Sequence, residues 1–139
     1  MATIKRVEDI EAWQKARKLT SMIYDCFESG RFARDFGLKD QVRRAAISIM
    51  ANIAEGFERG GTAEFLHFLA IANGSAGEVQ THLYVARDQG HIKKEEFAKI
   101  NMFANDTSNL TGGFMTCLKN TKFKGRKYSP GKITRNSEL

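Results

Sequence analysis

The first pairing in the chain that suits chemistry is Glu64-Phe65-Leu66-His67, a carboxylate and an imidazole three residues apart. On a helix that spacing puts both groups on one face, as in bundles that hold two iron ions. Glu78 and His82 stand four apart further along. A di-iron centre needs a second Glu-x-x-His on another helix and two more glutamates, and no second such pair exists. His67 also falls off the Phe65–Leu69 apolar stripe, toward the polar side. A solvated histidine beside a helical glutamate accounts for it better than a metal ligand, so no metal or cofactor is expected.

Nucleophilic chemistry has two candidates, Cys26 and Cys117, and both fall on apolar stripes where a thiol behaves as a small hydrophobe. If their helices are neighbours, the two sulfurs could approach. Gly74 and Gly77 come nearest to a phosphate-binding loop, but they interrupt a helical pattern. Their plainer role, with Ala70, Ala72 and Ala76, is to let another helix come close. Gly112-Gly113 would serve likewise or bend its helix. No pair of titratable residues converges on a catalytic site, so neither an enzyme nor a small-molecule substrate is expected.

What remains is charge. Of the 22 Lys and Arg, six lie in residues 121–139 (Lys122, Lys124, Arg126, Lys127, Lys132 and Arg135) beside a single acid, Glu138. Residues 1–120 carry sixteen basic and fifteen acidic side chains, so the body is nearly neutral and five of the six net positive charges belong to a tail. Phe123 and Tyr128 interleave with those cations. Rings that stack on bases beside cations that meet phosphates suit single-stranded or looped RNA more than duplex DNA. A solvated tail without a ligand, or one that orders against an acidic protein, fits the same composition. Lys119, at the end of the last predicted helix, extends the basic run.

The elements that position these groups are helices. With 42% hydrophobic and 27% charged residues, the 139-residue chain has the balance of one globular domain. Its one proline is Pro130. Ala12, Ala16, Leu19, Ile23 and Cys26 repeat at steps of four and three. So do Phe65, Leu69, Ala72, Ala76, Val79, Leu83 and Ala86, and then Ile100, Phe103, Thr107, Leu110, Phe114 and Cys117. That 3.5-residue period packs helices nearly antiparallel. Helices are predicted over 8–29, 38–59, 62–89 and 93–120, with Glu28–Phe36 irregular, Gly37 closing that link and Thr62 as an N-cap. The short links predict an all-α, up-down-up-down four-helix bundle over 1–120 and a flexible basic tail over 121–139. No apolar run approaches the roughly 20 residues of a membrane span, and no secretory segment follows the basic start. With two cysteines and no disulfide framework, a cytoplasmic protein is the simplest expectation.

The second predicted helix is apolar over too wide an arc. Leu38, Val42, Ala45, Ile49 and Ile53 line one edge, while Ile47, Met50, Ala54 and Phe57 lie well around the cylinder, roughly 200° in all. A bundle buries one side of each helix, so Ile47, Met50, Ala54 and Phe57 are expected to meet another copy of the chain. A thick core or the 28–37 link is the plainer cover. Arg43 falls inside this arc. It is expected to lay its stem on apolar surface and pair its head with an acid across a subunit boundary, with a phosphate contact as the alternative. The polar strip holds Arg44, Ser48, Asn52, Glu55 and Arg59.

Three segments carry a family resemblance: Glu8-Asp9-Ile10-Glu11-Ala12-Trp13, Phe36-Gly37-Leu38-Lys39-Asp40-Gln41-Val42-Arg43-Arg44, and Ala51-Asn52-Ile53-Ala54-Glu55-Gly56-Phe57. With Glu64-Phe65-Leu66-His67 through Gly74-Ser75, and Gly90-His91-Ile92, they resemble the four-helix-bundle proteins named for the 23S ribosomal RNA intervening sequence. The resemblance covers about residues 7–120. It implies assembly into a five-fold ring and kinship with the accessory variability determinants of diversity-generating retroelements, which bind a reverse transcriptase and its template RNA. It also implies a proline where this chain has Met50, so the second helix should run straighter here. The tail lies outside the family pattern. Two readings follow: a homo-oligomeric accessory protein that binds RNA, with or without a reverse transcriptase, or a protein-only interaction scaffold.

Overall fold

The computed structural model describes residues 4–28 and 30–121. Among these residues five α-helices follow a 3-10 turn at Val7–Asp9: α1 (Glu11–Asp25), α2 (Gly30–Arg34), α3 (Phe36–Arg59), α4 (Thr62–Asp88) and α5 (Lys94–Asn120). Among the described residues there is no strand. The four long helices close a ring in which α3 packs on α1 and α4, and α5 on α4 and α1. Every side-chain register between neighbours is antiparallel. Thr20 meets Met50 and Tyr24 meets Arg43 across α1 and α3. Ser48 meets Ser75 and Gly56 meets Phe65 across α3 and α4. Cys26 meets Glu96 and Lys15 meets Asp106 across α1 and α5. The fold is the expected four-helix bundle.

Local chemistry moves some boundaries. The first helix starts at Glu11 rather than residue 8, because the Asp9 carboxylate accepts from the Lys5 and Arg6 amides and Ile10 is extended. Those two amide bonds hold the Asp9 carboxyl below the usual carboxylate range. The link expected to be irregular contains α2, pinned by the buried Phe32 edge-on to Phe27 at 4.5 Å. Gly37 does not close that link; it lies in the first turn of α3, which Asp35 caps by accepting from the Leu38 amide at 3.2 Å. Gly60, at φ 92°, ends α3 in the left-handed conformation. Thr62 is already helical, and Gly61 takes the cap position expected of it. α3 runs unbroken through Met50.

The core follows three of the four stripes closely. Ala12, Ala16, Leu19 and Ile23 are buried, as are all seven positions of the α4 stripe. In α5 the core line turns by about half a residue step, to Ile100, Ala104, Thr107, Thr111 and Leu118. Phe103, Leu110 and Phe114 flank it half-buried, since their length lets them reach the core from its edge. Thr107 and Thr111 are tolerated inside because each hydroxyl donates to the carbonyl four residues back at 2.7 Å.

The two thiols cannot approach. Cys26 lies beside Glu96 at the start of α5 and Cys117 sits 21 residues later, about 31 Å along the helix. Nor do Gly74 and Gly77 admit a helix: a Cβ at either would meet nothing within 4 Å, and the same holds at Gly112 and Gly113. The close approach is at Gly56, where a Cβ would stand 2.9 Å from both Phe65 Cδ1 and Phe68 Cβ.

Candidate interaction surface

The face of α3 that borders α1 carries most of the expected interface. Ile47 is 47% exposed, and Met50 and Ala54 are half-buried, Met50 accepting from the Thr20 hydroxyl at 3.7 Å. Phe57 does not belong with them. It is wholly inside the chain's own core, 6.2 Å from the Phe65 ring, and offers no surface to a second copy. The helix axis explains the difference: Phe57 lies at the inner edge of the arc, where a long ring turns inward. Phe36, 73% exposed, extends the same face toward the start of α3.

Arg43 is half-buried in the middle of this face, and among the described residues it has no acid. Its guanidinium lies 4.2 Å from the Tyr24 ring centroid and 5.5 Å from that of Phe27. Its Nε is buried without a hydrogen-bond partner there. The expected apolar bed is present, supplied by Tyr24 of α1 and by Phe27 just beyond it, and among the described residues no carboxylate pairs with the guanidinium.

The polar strip of α3 faces α4. Ser48 and Ser75 hydroxyls are 2.9 Å apart, and the Asn52 amide donates to the Ser48 hydroxyl and carbonyl. Arg59 binds Glu55 at 2.8 Å, reaches Glu64 at 3.8 Å and covers the Phe68 ring. Arg44 pairs with Asp40 at 2.8 Å and is 78% exposed, a pair of a few tenths of a kcal/mol. Between α4 and α5, Gln80 donates to Asn101 and Asn105, and Ser108 to Asn73. These amides fix the register of the bundle.

The end of the bundle holds a half-buried polar bridge that the sequence did not announce. His91 Nε2 lies 2.9 Å from Asp35 Oδ2, and its ring stacks on Phe32 with centroids 5.7 Å apart. The bridge ties the α4–α5 link to the cap of α3 and holds the Asp35 carboxyl below the usual carboxylate range. Asp35 three residues before Leu38 is the one signal that could have marked it, as an N-cap. Nearby, burial and the adjacent Glu96 carboxylate push the Cys26 thiol up to about 12. That environment suits packing and opposes thiolate chemistry.

The Glu64–His67 and Glu78–His82 pairings gather no further ligands among the described residues. His67 is exposed beside Phe68, His82 is half-buried, and among the described residues no three His, Cys, Asp or Glu side chains gather as a metal site. Lys119 is exposed in the last turn of α5. Lys122, Lys124, Arg126, Lys127, Lys132 and Arg135, with the tail expected to be flexible, lie outside the described residues. Among the described residues, no helix is long and apolar enough to cross a membrane.

The model of the 23S rRNA-intervening sequence protein family matches residues 8–113, from the 3-10 turn through most of α5. The chain belongs to that family. Among solved structures, it is similar to a protein of unknown function from the S23 ribosomal protein family of Bacteroides thetaiotaomicron. The two are 23% identical with a TM-score of 0.68, over 75% of this chain and 97% of that one. At that identity the likeness is one of fold. No curated protein matches. The family match ends before Lys119 and the basic tail, so those cations are features of this member beyond the matched bundle.

Proposed function

We propose that this member of the 23S rRNA-intervening sequence protein family is a non-enzymatic, homo-oligomeric accessory protein that grips RNA through its basic C-terminal tail. The observation that carries this reading is the charge distribution: five of the six net positive charges fall in residues 121–139, interleaved with Phe123 and Tyr128. Lys119 leads into that run from the end of α5. Several copies would multiply a weak contact per tail through effective concentration, and five, as the family resemblance implies, would do so strongly. In this reading the protein works in the cytoplasm, with or without a reverse transcriptase as a further partner. The exposed α3 face supports self-association. The engagement of Asp35 and His91 in capping and packing, and the raised Cys26 thiol, support a role without catalysis.

A second reading, a scaffold that binds only protein, is favoured by the exposed apolar side chains Phe36 and Ile47. One comparison separates the two. If RNA is the ligand, replacing Lys122, Lys124, Arg126 and Lys127 by glutamine in the full chain abolishes retention on a single-stranded RNA column at low salt, while Arg44→Glu leaves it intact. Retention that survives tail neutralisation contradicts the first reading, and loss of partner capture by Arg44→Glu supports the second.

A further inference from the structure

Two stripes on different helices, one half-buried beyond its exposed Phe36 and one exposed throughout, are complementary in charge and matched in spacing. On α3, Phe36, Arg43 and Met50 follow at steps of seven, with Ile47 beside them: apolar, cation, apolar. Phe36 is 73% and Ile47 47% exposed. On α4, Ile71, Glu78 and Val85 also follow at steps of seven: apolar, anion, apolar. Ile71 is 40% and Val85 42% exposed, both off the core stripe of their helix, and Glu78 is exposed between them. Residues seven apart stay on one face of a helix, each stripe being about 21 Å long. Arg43 lacks an acid among the described residues, its Nε is buried without a partner, and Glu78 has no ion pair there either.

The stripes cannot meet within one chain. Arg43 lies on the α1 side of α3, against Tyr24, while α4 packs on the other side through Ser48 and Gly56. We infer that they meet between copies: the Phe36–Arg43–Met50 stripe of one chain docks on the Ile71–Glu78–Val85 stripe of the next, with Arg43 paired to Glu78. This inference rests on the homo-oligomer reading above and assigns its surfaces. Because each charge is central in its stripe, the ion pair sets the same register whether the helices run parallel or antiparallel. Desolvation by the flanking apolar residues strengthens the pair and penalises a wrong partner. The two faces differ, so the contact is heterologous: each copy offers one face to each neighbour, and the assembly closes into a ring or grows as a chain. Tyr24 and Phe27 hold the guanidinium in place before contact, which lowers the ordering cost of association.

The test is sedimentation velocity of the full chain over a wide concentration range. The unaltered protein should sediment as an assembly. Glu78→Arg, Arg43→Glu and Val85→Asp should each weaken it at least about thirtyfold. Arg43→Glu with Glu78→Arg on one chain should restore assembly to within a few-fold. Arg43→Glu disturbs packing on Tyr24, so the exposed α4 changes, checked for unaltered helicity and urea midpoint, carry the test if that variant misfolds. Folded Glu78→Arg and Val85→Asp variants that assemble normally overturn this pairing while leaving homo-oligomerisation standing, as does a charge swap that fails to restore assembly. A protein that stays monomeric at every concentration overturns both.

Discussion

Gly56→Ala tests the packing account where it is most exposed to failure. An added methyl at Gly56 stands 2.9 Å from Phe65 Cδ1 and Phe68 Cβ and 3.4 Å from Phe65 Cα. None of these atoms can give way cheaply. The Phe65 ring is fully buried and edge-on to both Phe57 and Phe114, at 6.2 and 5.3 Å. Phe68 Cβ is fixed to the α4 backbone, and its ring lies under the Arg59 guanidinium. The helices must therefore part at their closest point, an overpacking cost of about 1–3 kcal/mol. Against it stands the gain of replacing a helical glycine by alanine, about 0.5–1 kcal/mol. The net loss is about 1 kcal/mol, a fall of roughly half a molar in the urea midpoint for an m-value near 2 kcal/mol per molar. Gly77→Ala provides the contrast, since its Cβ meets nothing within 4 Å. It should gain the full propensity term of about 0.5–1 kcal/mol. Urea titrations by circular dichroism, at several protein concentrations to separate assembly from folding, measure both. A Gly56→Ala protein as stable as the original would refute the reasoning.

Two further expectations concern protons. Asp35 has a carboxyl held below its ordinary value of 3.8 by His91 and the Leu38 amide, so its ionised form stabilises the fold. That contribution is present above the ordinary carboxylate range and is lost as pH falls through the lowered value. The stability gap between the original protein and Asp35→Asn should thus be open at neutral pH and close below pH 3.8, and a gap unchanged in acid would contradict the bridge. Cys26, raised to about 12 by burial and then by Glu96, should alkylate with iodoacetamide far more slowly at pH 8 than an unfolded thiol. Glu96→Gln should speed that reaction in the folded protein, as mass spectrometry of the α1 peptide would detect. An unchanged rate would assign the shift to burial alone.

Where one face of a helix alone decides burial, the bundle was legible. The α4 stripe from Phe65 to Ala86 is buried at all seven positions, since residues at steps of three and four share one face of a helix. In α5 the same rule chose the edge instead of the centre. Thr107 lies on the predicted stripe and is buried, but Phe103 and Phe114 outweigh Ala104 and Thr111 in apolar surface; a threonine that bonds its own helix enters the core while a long ring reaches it from the side. Glycine spacing misled for a related reason. Gly74 and Gly77 form the more regular pattern, but close approach depends on which turn of one helix faces which turn of another, and that selects Gly56. The candidate surface was half readable. The over-wide arc marked Ile47, Met50 and Ala54, but the inward turn of Phe57 and the Tyr24 bed under Arg43 are tertiary facts. The bridge from His91 to Asp35 spans 56 residues and leaves no periodic trace.

The measurement that bears most directly on the proposed function is a salt titration of single-stranded RNA binding by the full chain and by the variant with its six tail cations neutralised. If all six engage phosphates, the slope of log affinity against log salt should be about −4 for one tail. The full chain should give that steep slope, and neutralisation should collapse it with assembly unchanged. Absence of binding by the full chain at low salt, or a slope that survives neutralisation, would contradict it.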